Sequence, residues 1–165
     1  MFLNALETLY VIDRVKAWPN TDYEGVRKKD KLLMSDTGLM ASILRWRFDQ
    51  VQFDGDRNGK LLESFVYQQI ITMIDAQEDQ HSIYHYRDAA KREIDFLIEN
   101  MNGDILAIEV KAGSAVKKTH FKHLEWFKNN LAKGRKFKGV ILYSGEHVLS
   151  FGESMWAAPI STLWS

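Results

Sequence analysis

Two short stretches in the middle of the chain alternate apolar and polar residues with a period of two. Glu93-Ile94-Asp95-Phe96-Leu97-Ile98 places Ile94, Phe96 and Ile98 on one face, and Ile105-Leu106-Ala107-Ile108-Glu109-Val110-Lys111 does the same with Leu106, Ile108 and Val110. That alternation predicts two strands, each with one buried face. Met101-Asn102-Gly103 lies between them, and a three-residue turn with Gly103 in the left-handed region pairs Asn100 with Asp104. In that register Ile94 opposes Val110, Asp95 opposes Glu109 and Glu93 opposes Lys111. A slip of one residue would drive the acids into the core.

The same patterning organises the rest of the chain. Phe2 to Leu9 reads as the end of a helix, Tyr10 to Trp18 as a strand, Arg27-Lys28-Lys29-Asp30 as a charged loop and Lys31 to Met34 as a short strand. Ser35-Asp36-Thr37-Gly38 supplies N-cap chemistry for a helix through Leu44. From Asn58-Gly59 a longer helix is expected to about Asp75, with Leu61, Leu62, Phe65, Val66, Ile70 and Met73 as its apolar face and Glu63 at the edge. A strand at Ser82 to Arg87 precedes the hairpin, and a helix over about Lys117 to Leu131 follows it. Gly139 to Tyr143 is apolar on both faces, as in a central buried strand. The expected order from residue 58 is helix, three strands, helix, strand: an α/β domain with a mixed sheet flanked by helices. Residues 1–57 form an N-terminal αβ extension and 58–165 the main domain, and the start inside a helix suggests a fragment.

Composition narrows the classes. The chain has 165 residues and no cysteine, so disulfides and thiolate zinc sites are excluded and a reducing, cytoplasmic compartment is expected. No apolar run approaches the roughly 18–20 residues needed to cross a bilayer, so a soluble protein without a membrane partner is expected. Lys plus Arg and Asp plus Glu stand at 22 each, so no global field attracts nucleic acid. Between Lys117 and Lys138, however, eight basic residues face one acid, Glu125, a block suited to a phosphate backbone or to a solvated charged face. His120 and His123, three apart on the same segment, are a metal pair or part of that face. Gly55-Asp56-Arg57-Asn58-Gly59-Lys60-Leu61 lacks the spacing and the Ser or Thr of a phosphate-binding loop, so it reads as a turn and N-cap with no nucleotide site.

The polar face of the hairpin carries the candidate chemistry. Directly opposed residues have β-carbons about 4.5–5.5 Å apart, where two carboxylates destabilise the pair unless positive charge lies between them. Asp95 and Glu109 therefore suit a divalent cation, Mg2+ or Mn2+, with water and a phosphate at its open positions. Lys111, on the same face as Glu109, is placed to orient or deprotonate a water or to stabilise charge on a phosphate. This outlines a phosphodiester hydrolysis site. A solvated sheet surface with a Glu93–Lys111 ion pair is the simpler alternative.

That order of elements, with Glu63 on the first helix, Asp95 on the second strand and Glu109-Val110-Lys111 on the third, resembles the core of the PD-(D/E)XK nuclease superfamily. More narrowly, Ser35-Asp36-Thr37-Gly38-Leu39, Gly59 to Val66, Tyr86-Arg87-Asp88, Arg92 to Phe96 and Ile108 to Ala112 look like a family of uncharacterised C-terminal domains. Those domains follow AAA-type ATPase modules in bacterial and archaeal ATP-binding proteins, and the likeness covers nearly the whole chain. It implies that Asp95 and Glu109 bind magnesium, that Lys111 assists the attacking water, and that Glu63 completes the metal shell. Arg87, Lys117, Lys118 and Lys122 are the candidate nucleic-acid contacts. Ile94 stands where the superfamily motif has proline, and residues 1–34 resemble the tail of a winged-helix linker. The expectation is a magnesium-dependent DNA endonuclease-like domain whose ATPase module lies outside these residues. The alternatives are an idle module of that fold that binds DNA or protein, and a purely structural domain.

Overall fold

Gly103 closes the hairpin as its sequence requires. The computed structural model describes residues 2–19, 29–77 and 79–164, and in it Gly103 has φ +79°. Its N–H donates to Asn100 O at 2.9 Å, and the Asn100 side-chain oxygen accepts from the N–H groups of Asn102 and Asp104. Strands β4 (Glu93–Asn100) and β5 (Ile105–Lys111) then pair from Glu99 with Ile105 to Phe96 with Ile108, the expected register.

Around this hairpin the described residues form one mixed eight-stranded sheet. Its members are β1 (Ile12–Ala17), β2 (Lys31–Met34), β3 (His81–Arg87), β4, β5, β6 (Phe137–Tyr143), β7 (Leu149–Ser150) and β8 (Met155–Pro159), in the spatial order β2-β1-β3-β4-β5-β6-β8-β7. β5, β6 and β8 run parallel, β3, β4 and β5 antiparallel, and β1 lies parallel to β3. The N-terminal strands thus belong to the same sheet as the hairpin, with β2 held at its edge by β1 alone. The helices are α1 (Phe2–Thr8), α2 (Thr37–Ile43), α3 (Phe48–Val51), α4 (Gly55–Asp75) and α5 (Lys122–Asn130). Among the described residues no helix is long and apolar enough to cross a membrane.

Several expectations need correction. The hairpin strands are buried on both faces, not one. Val66, Tyr67 and Ile70 of α4 pack on Phe96, Ile108 and Leu142, while Phe121, Leu124 and Phe127 pack on Ile94, Leu97 and Ala107 from the other side. Ile94 therefore does not share a face with Phe96 and Ile98. The cause is a bulge: Tyr84 pairs with Leu97 and Tyr86 with Ile94, so His85 alone opposes Asp95 and Phe96.

α4 begins at Gly55, before the expected Asn58, because the Asp54 carboxylate accepts from the N–H groups of Asp56 and Arg57. The Gly55–Leu61 stretch is thus helix, not a turn. Met73 on that helix is half exposed. The helix expected from Lys117 opens as a 3-10 turn over Lys118–Phe121. α3, β7 and β8 have no counterpart in the sequence patterning, and within the charged loop Arg27 and Lys28 lie outside the described residues.

A β-carbon at Gly103 would sit in the left-handed region and 3.1 Å from Arg135 Nη2. Gly103→Ala is therefore expected to lower stability by about 1–2 kcal/mol in urea unfolding. An unchanged midpoint would contradict the turn assignment.

Candidate functional site

Beyond the pair Phe96–Ile108, the hairpin ladder is completed by a side chain. The Val110 N–H donates to Asp95 Oδ2 at 2.9 Å, so a carboxylate takes the place of a strand carbonyl. The bulge that turns Asp95 toward β5 makes this possible, and the end of the sheet opens into a cavity of about 480 Å3. Its walls include Glu63 from α4, Glu93 and Asp95 from β4, and Glu109 and Lys111 from β5. Arg87, at the end of β3, reaches the same cavity.

The proposed acids and Lys111 therefore converge, and so does Arg87. Lys111 Nζ stands 2.6 Å from Glu109 Oε1. The other oxygen, Glu109 Oε2, is buried and without a hydrogen-bond partner. Burial pushes the Glu109 carboxyl above its ordinary range, against the pull of the Lys111 ammonium. A desolvated oxygen of this kind is costly unless it meets a donor or a cation. Arg87 pairs with Glu93 at 3.7 Å and not with Asp88. Asp88, which is fully buried, instead accepts from Tyr86 Oη and from both the backbone N–H and Nε of Arg92.

One member of the site was missed by sequence reasoning. Lys31, the first residue of β2, extends its ammonium between Glu63 and Asp95, forming an ion pair with Glu63 Oε1 and a 3.0 Å hydrogen bond to Asp95 Oδ1. Glu93 Oε1 lies 3.9 Å away, and the ammonium stands 5.6 Å from the centre of the Phe96 ring. No local pattern announces this, because Lys31 and Asp95 are 64 residues apart. The nearest signal is a cation opening an otherwise apolar four-residue strand.

One ammonium serves two carboxylates. Burial works to lower the Lys31 pKa, but Asp95 and Glu63 outweigh it and hold the amine protonated. The Glu63 carboxyl, desolvated and beside the Asp95 charge, is pushed up to about 7 despite Lys31. Among the described residues no three acidic or imidazole groups are placed as a metal cage. In kind the donors fit a hard cation, since one or two carboxylates completed by water and phosphate are the usual magnesium set. Among the described residues Ser35 Oγ, Glu63 Oε1 and Glu109 Oε2 are buried without a hydrogen bond; Glu63 Oε1 is in ion contact with Lys31, which leaves Glu109 Oε2 as the oxygen of the cavity most in need of a cation.

The basic residues do not form one surface. Lys117, Lys118 and Lys122 are exposed at the start of α5, next to His123, which lines the cavity and accepts weakly from the Glu93 N–H at 3.5 Å. His120 turns to the Lys117 N–H, so the two histidines do not act as a pair. Arg135 is tied to Glu99 and Gly103 O, Lys128 bonds Ser154, and Lys136 and Lys138 border an apolar cleft at the opposite end of β5.

The raised Glu63 pKa has a defined consequence for stability. A group bound more tightly to its proton in the folded state contributes most below its unfolded value of 4.5, and that contribution is lost as the pH rises through about 7. Glu63→Gln should flatten this part of the stability profile, as measured by thermal unfolding between those limits. An identical slope in wild type and variant would contradict the assignment.

Comparison with known proteins bears on the family. No curated protein is significantly similar to the chain. Among solved structures, a chain from the Thermococcus gammatolerans assembly of McrB AAA+ hexamers with bound McrC aligns with a TM-score of 0.43 and 10% identity over 60% of this chain. The aligned chain spans about a quarter, 26%, of that longer chain. Residues 58–163 match the model of a domain of unknown function, DUF4143, and the chain accordingly belongs to the DUF4143 family, whose domains are typically found with AAA ATPases.

Proposed function

We propose that this chain is the nuclease-like module of an ATPase-associated protein, with a divalent-cation-dependent phosphodiesterase site at the open end of the hairpin. The observation that carries the reading is the buried, unpartnered Glu109 Oε2 beside Lys111, in the same cavity as Asp95. Asp95 and Glu109 would hold Mg2+ or Mn2+, with Glu63 as a further ligand. When bound, such an ion polarises a phosphoryl oxygen and makes water more acidic. Hydrolysis joins a water oxygen to phosphorus and breaks one P–O ester bond. In this scheme Glu109 and Asp95 fix the charge of the floor. Lys111, hydrogen-bonded to Glu109 and two-fifths exposed at the mouth, orients the attacking water or neutralises the phosphate. Arg87 and the exposed Lys117, Lys118 and Lys122 supply phosphate contacts for DNA, and an AAA ATPase module is the proposed partner.

A second reading rests on a specific observation. The Lys31 ammonium bridges Glu63 and Asp95 and offsets part of their charge, as an idle module that only binds DNA or protein would require.

The two readings separate in solution. On the first, millimolar Mg2+ or Mn2+ raises the melting temperature, since a ligand of the native state stabilises it by mass action, and Asp95→Asn with Glu109→Gln abolishes the effect. No cation dependence would favour the idle module. On DNA, affinity should fall by about 0.9 log unit per phosphate contact for each log unit of salt, and reversing Lys117, Lys118 and Lys122 to glutamate should flatten that slope. Lys111→Ala should keep binding and lose cleavage. Equal loss of binding from Lys111→Ala and from the triple reversal would make Lys111 another phosphate contact.

A further inference from the structure

Lys31 stands in the position that the proposed site reserves for a cation. Its ammonium lies within hydrogen-bond reach of Asp95 and in contact with Glu63, two of the three acids assigned as metal ligands, with Glu93 behind it. The Lys31 side chain is only 15% exposed, so the amine is held inside the site and not merely near it. A divalent ion and an ammonium cannot share these oxygens, because at such spacing their mutual repulsion in a partly desolvated site is large. The third acid, Glu109, is left to Lys111 and keeps one oxygen unsatisfied.

The element that delivers Lys31 has fewer strand neighbours than those that deliver Asp95 and Glu109. Asp95 and Glu109 lie on strands with neighbours on both sides, and Glu63 lies on a 21-residue helix. Lys31 opens a four-residue strand at the edge of the sheet, paired with β1 only, from Ile12 with Met34 to Val15 with Lys31. Its ladder is short and one-sided, and its further ties are Leu33 packed with α4 and Met34 O accepting from Gln68, so Lys31 stands at the end of β2 away from the hydrogen bond to α4.

We propose that Lys31 is a resident cation which competes with a divalent ion for Glu63 and Asp95, so that the position of β2 sets the metal affinity of the site. Strand β2 is then a gate: with Lys31 seated its ammonium occupies oxygens of Glu63 and Asp95 and the site is latent, and withdrawal of Lys31 frees those oxygens for the ion. This rests on the cation-binding reading above and adds a residue and a mechanism of control to it.

The test is Mn2+ binding to the full chain, followed by calorimetry and by the paramagnetic spectrum of free Mn2+. Lys31→Met preserves most of the side-chain volume and removes the charge, and it should bind Mn2+ roughly ten-fold or more tightly than wild type, as expected for removing a like charge from the site. Adding Asp95→Asn to Lys31→Met should erase the gain. Because Lys31→Met leaves two carboxylates facing each other and could fail to fold, a second measurement uses the wild type alone. The rate at which acetic anhydride labels Lys31, read by mass spectrometry, should rise several-fold at saturating Mn2+. Equal Mn2+ affinity in wild type and Lys31→Met, or binding without a change in Lys31 labelling, would overturn the gate and leave the metal site standing. Absence of Mn2+ binding in both proteins would overturn the gate together with the metal site itself.

Discussion

The hydrogen bond from the Val110 N–H to the Asp95 carboxylate is the interaction on which the open end of the sheet depends. In an uninterrupted antiparallel ladder that N–H would meet a backbone carbonyl. Here the bulge opposite His85 swings Asp95 into the gap, and the side chain substitutes for the main chain. Three consequences follow. The strands are tied together at their ends without the ladder continuing, a carboxylate is fixed rigidly at the floor of a cavity, and its second oxygen is left to face Lys31.

Buried charge elsewhere in the fold is handled differently. Asp88 is enclosed but receives three donors from Tyr86 and Arg92, whose guanidinium also stacks 3.6 Å from the Trp126 ring centre. Those donors outweigh the burial that would raise its pKa and hold it below its usual value. Arg135 likewise ties Glu99 to the Gly103 turn. These are satisfied structural contacts. At the open end of the sheet, by contrast, Glu63 and Glu109 are both driven toward neutrality by desolvation, and Glu109 keeps an orphaned oxygen. Such shifts inside a cleft, together with the convergence of Glu63, Asp95, Glu109 and Lys111, are the physical support for the proposed site.

The hairpin was legible because its signals are local. Alternation marked the strands, and Gly103 set the register from Glu99 with Ile105 to Phe96 with Ile108, beyond which the Asp95 side chain meets the Val110 N–H in place of the expected Asp95–Glu109 pair. The α4 helix was legible through its apolar stripe, although its start depended on Asp54, a cap four residues before the expected boundary at Asn58. What escaped was non-local. A bulge inserts one residue into a period of two, so counting faces failed at Ile94. The burial of Lys31 depends on where β2 docks relative to a strand 64 residues away. The short β7 and β8 lack a run long enough to declare itself, and the basic block looked continuous only because sequence proximity hid its division between the two ends of β5.

The cation site proposed at the open end of the hairpin has acids held in place by the fold, two of them bridged by Lys31. Anomalous diffraction at the manganese edge from crystals soaked in Mn2+ tests it most directly. The account predicts one peak bonded to Asp95 and to Glu109 Oε2, with the Lys31 ammonium displaced from Glu63 and Asp95. A map with no peak in this cavity and Lys31 still bridging the two acids would contradict it.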